Sequence, residues 1–227
     1  MCGRYSLTQT IDALATFLDV DERPNLQARW NIAPTQTAPV VRLGDDGARQ
    51  LAMLRWGLVP GWAKDLAFGA HAINARAESV AEKPTFKEAL RRRRALVPAD
   101  GYYEWMVTGK TKQPYRFTLK GEGIMVFAGL WERWGTGADT VETFGFVTTD
   151  ASPDVTPVHD RMPVLLEPQD WAVWLDPKTT VPDLLARLKP PPAGRLVHHP
   201  VSIRVNSARS EGPELALPSV PDAPRLL

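Results

Sequence analysis

The sequence predicts an α+β fold with its core in sheet, and three observations carry that prediction. Strand-like runs cluster in the middle of the chain. The helical patterns between them are short and do not alternate regularly with strands, as a doubly wound sheet would require. A hydrophobic fraction of 44% over 227 residues is enough for one well-buried core, and one domain is the expected division.

The elements follow in order. Ile11, Leu14, Phe17 and Leu18 recur at helical spacing behind Thr8 and Thr10, either of which can cap a helix over residues 11–20. Two strand-like runs, 39–43 and 51–56, flank Gly-Asp-Asp-Gly, a hairpin turn signal. A helix is expected near 84–93, ahead of the apolar run 95–98, and strands fit 115–119, 124–130 and 143–148. Residues 168–175 and 181–188 read as two short helices, followed by a proline-rich corner at 190–192 and a last strand near 197–205. Proline denies the ending both helix and ladder hydrogen bonds, so the division expected is a domain over 1–212 and an irregular tail over 213–227.

Composition narrows the function classes. No apolar run approaches the roughly 20 residues that cross a bilayer, and Met-Cys-Gly-Arg-Tyr-Ser lacks the apolar stretch of a signal peptide, so a cytoplasmic protein without membrane contact is expected. One cysteine cannot form an intrachain disulfide or a multi-cysteine zinc site, and the four histidines lack ligand spacing, so neither metal nor cofactor is expected. The net charge is only +1, yet residues 86–120 hold nine basic and three acidic side chains, a polarity able to steer a polyanion to one face.

The single cysteine stands at position 2. Removal of the initiator methionine, which its small side chain favours, would leave a terminal residue carrying both an α-amine of pKa about 8 and a thiol of pKa about 8.5. Polar residues also interrupt apolar or aromatic segments elsewhere: Asn74 and Arg76 in Ile-Asn-Ala-Arg-Ala-Glu, Glu104 in Asp-Gly-Tyr-Tyr-Glu-Trp, and His159 with Arg161 in Val-His-Asp-Arg-Met-Pro. Each taken alone has an ordinary structural explanation as strand alternation, a cap or a solvated cation.

Taken in order with Met-Cys-Gly-Arg-Tyr, Asn-Ile-Ala-Pro and Trp-Gly-Leu-Val-Pro-Gly-Trp, these segments resemble the SOS-response-associated peptidase-like (SRAP) family, over nearly the whole chain apart from the proline-rich tail. The resemblance implies a single domain with a predominantly antiparallel, barrel-like β core and peripheral short helices. It implies a protein, expected as a monomer, that senses abasic sites in single-stranded DNA and captures the ring-opened sugar aldehyde through Cys2 as a thiazolidine cross-link, with accompanying lyase activity. Only a terminal cysteine offers amine and thiol together, and the second attack, being intramolecular, gains effective molarity.

The same resemblance implies roles for individual residues. Glu104 is the proton shuttle, its pKa raised by desolvation between Tyr103 and Trp105; His159 protonates the sugar oxygen; Asn74 positions the sugar. Arg4, Arg76 and Arg161 bind flanking phosphates, and Trp62 and Trp105 stack on bases or wedge the strand, with core packing as their alternative. Many relatives carry a second tryptophan after the position of Trp62, where this chain has Ala63. Arg91 to Arg94, pointing in several directions on a helix, contribute only general electrostatics. Two other functions fit parts of the pattern: an N-terminal cysteine autopeptidase or hydrolase, and a non-catalytic single-stranded DNA-binding module that would not need Cys2.

Overall fold

A computed structural model describes residues 2–220; removal of Met1 and positions 221–227 of the expected tail lie outside the described residues. Five strands form a closed ring: β3 (Thr37–Leu43), β4 (Arg49–Trp56), β6 (Arg94–Ala99), β9 (Met125–Trp134) and β10 (Val141–Asp150). Their order is β10-β4-β3-β6-β9, and β9 pairs back onto β10 to close the barrel. Only the β4 to β10 contact is parallel; the other pairings around the ring are antiparallel. A second, wholly antiparallel sheet runs β12 (Leu196–Pro200), β8 (Thr111–Leu119), β7 (Gly101–Thr108), β1 (Arg4–Leu7) and β2 (Arg29–Ile32).

The two sheets meet over an aromatic core. Tyr5 of β1 stands edge-on to Trp56 at 5.2 Å and to Phe127 at 6.1 Å, while Tyr102 of β7 stacks on Phe117 at 5.0 Å. The chain passes from barrel to sheet at Asp100, between β6 and β7. Its carboxylate accepts from the Ser6 hydroxyl at 2.6 Å and from the Thr8 hydroxyl at 2.7 Å, which pins β1 to that corner.

Strand β10 is the spine of the site. Beyond its pairing with β4 and β9, its C-terminal half holds two short strands: β5 (Asn74–Arg76) alongside Phe146 to Thr148, and β11 (Arg161–Pro163) against Thr148 to Asp150. Neither has enough residues to show a period, and both exist because β10 offers them ladder partners.

Among the described residues four short α-helices lie at the periphery: α1 (Ile11–Leu18), α2 (Lys87–Arg92), α3 (Pro168–Leu175) and α4 (Val181–Leu185). Thr10 caps α1, accepting from Ala13 N–H, and Asp19 in the left-handed region (φ 57°) ends it. α2 is shorter than the expected 84–93 because Phe86 provides no side-chain cap, and Arg94 already belongs to β6. Arg94 is buried and donates to carbonyls of Leu90, Trp174 and Asp176, so the arginine run divides between a structural strut and surface charge.

Two expectations are corrected at the C-terminal end. The last strand stops at Pro200, and a 3-10 turn with Ser202 as its cap occupies Ile203–Asn206. The irregular tail does not begin at Pro213: Pro213–Ala216 form another 3-10 turn with Leu215 fully buried, Pro218 bridges to Val201, and Ser219 N–H donates to Pro200 O at 2.9 Å. Proline is tolerated here because these contacts need few backbone donors.

Trp62 is carried on the loop from β4 to β5, which closes on itself where Gly57 crosses Gly69. A Cβ added at Gly69 would stand 2.4 Å from Gly57 O, and Gly57 itself has φ +122°. Gly69→Ala is therefore expected to cost about 1–3 kcal/mol, read as a lowered melting temperature, because backbone rather than a flexible side chain must move.

Candidate active site

Cys2 lies two residues ahead of β1 and is fully buried. Its Sγ donates to Arg4 O at 3.4 Å, and Asn74 Nδ2 donates to Cys2 O at 2.8 Å, tying β5 to the start of the chain. Asn74 Oδ1 is buried and accepts no hydrogen bond from the described residues, which leaves it available to a hydroxyl of a bound molecule. Burial, and after it the negative charge of Glu104, pushes the Cys2 thiol well above its ordinary pKa, so the resting group is a protonated thiol.

Glu104 stands in β7 opposite Tyr115 and is only 2% exposed. Burial pushes its carboxyl up to about 7, where it can both take and return a proton near neutrality. His159 precedes β11, and its Nε2 lies 3.8 Å from Glu104 Oε2. Arg161 N–H donates to His159 Nδ1 at 2.9 Å, which assigns the neutral ring's proton to Nε2, on the side of Glu104. Burial lowers the His159 pKa; the exposed Asp160 carboxylate, 3.0 Å from Nδ1, favours the imidazolium once a second proton arrives. Cys2, Asn74, Glu104 and His159 thus converge from four separate stretches of sequence.

The cations and aromatic residues are placed less uniformly. Alternation along β5 puts Arg76 on the same side of the strand as Asn74, and Arg76 is exposed. Arg4 instead donates to Asn31 Oδ1 at 3.1 Å and to the carbonyls of Val205 and Asn206. Arg161 is held by a bidentate pair with Glu78 at 2.8 and 3.0 Å, by Asp150 at 2.7 Å and by Thr148 O at 2.8 Å. Phosphate binding by Arg4 or Arg161 therefore requires an exchange of partners, whereas the Arg76 side chain has no hydrogen-bond or ion-pair partner to give up among the described residues.

Trp62 is 58% exposed with Phe68 edge-on at 5.2 Å, a surface platform rather than a core residue. Trp105 is half-buried against Tyr103, Val201 and Val205, and its Nε1 donates to Asn206 Oδ1 at 2.7 Å.

Sequence reasoning missed several supporting residues. Asn31, in the Asn-Ile-Ala-Pro segment, donates to Val205 O, Ser207 O and Ser210 O and so lashes residues 205–210 to β2. Glu78 and Asp150 look like ordinary surface acids in the sequence, and only the fold brings them to Arg161.

A closed five-stranded barrel joined to a second sheet, with a near-terminal cysteine, a raised carboxyl and an imidazole gathered where the sheets meet, defines a class of barrel proteins with a Cys-Glu-His site. The SOS response associated peptidase (SRAP) family profile matches residues 1–208. Bacillus subtilis abasic site processing protein YoqW is 38% identical over 221 residues, covering 95% of this chain and 98% of that protein. Escherichia coli abasic site processing protein YedK is 30% identical over 227 residues, covering 96% and 100%. A crystal structure of a Bacteroides thetaiotaomicron protein shares the fold with a TM-score of 0.84 at 24% identity, over 96% of this chain and 100% of that one. The chain belongs to the SRAP family.

Proposed function

We propose that the protein processes abasic sites by capturing the sugar aldehyde in single-stranded DNA through Cys2, after loss of Met1, as a thiazolidine cross-link that shields the site. The observation that carries this reading is the convergence of Cys2, Asn74, Glu104 and His159 in one partly enclosed site, in a chain whose relatives are named abasic site processing proteins.

The sequence of events follows from the protonation states. His159 delivers its Nε2 proton to the ring oxygen as the sugar opens and takes up the proton of the anomeric hydroxyl, and Glu104 takes a proton from the terminal ammonium. The amine adds to the aldehyde carbon, and Glu104 returns its proton to the carbinolamine hydroxyl, which leaves as water as the Schiff base forms. The thiol, held protonated until then, gives its proton to Glu104 as sulfur bonds to the same carbon. Asn74 holds the sugar hydroxyls through its unoccupied Oδ1. While the Schiff base lasts, it acidifies the adjacent carbon, and β-elimination there supplies lyase activity. Trp62 offers a face for an unpaired base, Arg76 engages the backbone, and Arg4, Arg161 and Trp105 line the same strand once their present partners give way.

The testing experiment incubates purified protein with abasic and intact single-stranded oligonucleotides and resolves the products under denaturing conditions. A shifted band confined to the abasic strand is expected; its absence from active-folded protein of mature mass overturns the reading. Affinity for intact single strands should also fall with salt, at a log–log slope of about −0.7 per neutralised phosphate, and Arg76→Ala should flatten the slope by about that amount. Equal slopes, measured in a Cys2→Ala background to prevent trapping, would remove Arg76 from the phosphate path.

A further inference from the structure

Arg161 reaches a phosphate only by changing partners, and its partners are not equally replaceable. The guanidinium carries five N–H bonds. Nη1 and Nη2 each give one to Glu78, at 2.8 and 3.0 Å, as a two-bond fork. The second hydrogen of Nη2 goes to Thr148 O at 2.8 Å, and the second of Nη1 to Asp150 Oδ1 at 2.7 Å. Nε is buried and has no acceptor among the described residues, so it presents no hydrogen to an incoming anion. At rest, no N–H of this side chain is open to a phosphate.

Thr148 O belongs to the β10 backbone, and displacing Glu78 breaks two bonds at once. Asp150 holds by one bond, at the last position of β10, and its side chain is 80% exposed. It faces Arg161 directly across the β10 to β11 ladder, so a turn about its own side-chain bonds moves the carboxylate into water and leaves every backbone bond in place. The hydrogen it uncovers keeps its direction, since Glu78 and Thr148 O still hold the guanidinium plane. Charge points the same way. Arg76 and Arg161 with Glu78 and Asp150 sum to zero, and a phosphate at Arg161 is repelled by Asp150 until that carboxylate turns out.

We propose that Asp150 is a specificity-determining residue: its carboxylate holds the one hydrogen of Arg161 that a backbone phosphate can take, and so weakens the grip on intact strands more than on a strand captured at Cys2. For an intact strand, each encounter must displace the carboxylate from free solution. For a captured strand, the flanking phosphate is already tethered beside Arg161, and its effective concentration drives the exchange. One acceptor replaces another on Nη1, and no covalent bond is altered. This inference rests on the strand path and covalent capture proposed above, and adds to them the discrimination between damaged and intact DNA.

The test measures the affinity of the mature full-length chain for an intact single-stranded oligonucleotide, at one salt concentration, as wild type, Asp150→Asn, Arg161→Gln and the double variant. Asp150→Asn is expected to bind about threefold to tenfold more tightly than wild type, through loss of one cross-strand ion pair and one like charge. In the Arg161→Gln background the same substitution should change affinity by less than about twofold. In a mixed assay, an excess of intact strand should slow adduct formation on an abasic strand several-fold more for Asp150→Asn than for wild type. Unchanged affinity in Asp150→Asn overturns the proposal, as does an equal gain in both backgrounds, which marks general charge removal. Should Arg161→Gln fail to fold, Asp160→Asn takes its place: it removes a nearby exposed carboxylate that pairs with His159 and with no arginine, and a gain equal to that of Asp150→Asn overturns the proposal. If wild-type protein forms no adduct with the abasic strand, the covalent reading fails, and the affinities for intact DNA still judge Asp150.

Discussion

Cys2→Ala is expected to abolish the denaturation-resistant adduct completely while leaving DNA binding in place. The variant keeps a terminal α-amine, so a Schiff base and some strand cleavage should survive; what disappears is the sulfur that closes the ring. Cys2→Ser should form at most a weaker oxazolidine, oxygen being the poorer nucleophile at its ordinary pKa. Both are read on denaturing gels with an abasic single strand, and wild-type adduct stability in either variant would remove the thiol from the mechanism. Intact mass supplies the companion measurement, because a retained Met1 would turn the Cys2 nitrogen into an amide with no basic lone pair. Active protein that keeps Met1 throughout would exclude a thiazolidine.

Glu104→Gln is expected to slow covalent capture by about 10²–10⁴ with little change in DNA affinity, since shape is kept and the proton-transfer group is lost. The same substitution should stabilise the fold, but only above a certain pH. Burial raises Glu104 from 4.5 to about 7, so the folded chain binds its proton more tightly than the unfolded chain. Folding then takes up a proton between those two values, and stability falls as pH rises through the window, by up to about 3 kcal/mol once Glu104 is ionised in both states. Glutamine has no such window. The variant should melt several degrees above wild type at pH 8 and close to it at pH 4.5, with capture impaired at both. An unchanged single-turnover rate would make Glu104 structural, and equal melting at pH 8 would show that its burial carries no cost.

Much of the fold was legible because its cues are local. Thr10 and the Ile11, Leu14, Leu18 spacing gave α1, and Gly44 to Gly47 gave the β3 to β4 hairpin, where Gly47 at φ +79° takes the left-handed position. Strands β5 and β11 were not legible, being three residues each and defined by β10 rather than by their own pattern. Strand β7 was hidden for a different reason: Tyr102, Tyr103 and Glu104 are all buried, so inward and outward residues do not alternate in polarity.

The residues of the proposed site followed the same division. Asn74, Glu104 and His159 stood out as polar residues inside apolar segments, and Cys2 by its position. What sequence could not reveal was competition for the arginines. Arg161 meets Glu78 from 83 positions away, and Arg4 meets Val205 from 201 positions away, contacts set by tertiary pairing alone.

Strand β10 holds two sides of the proposed site, Asn74 and Arg76 through β5 and His159 and Arg161 through β11, while its other half closes the barrel. The two sides therefore share one foldon. In native-state hydrogen exchange, the amides of β10 should open only with global unfolding, and those of β5 and β11 that bond to it should exchange together rather than fray separately. The spacing between Asn74 and His159 is then fixed by the ladder that closes the barrel, and neither residue can shift without disturbing it.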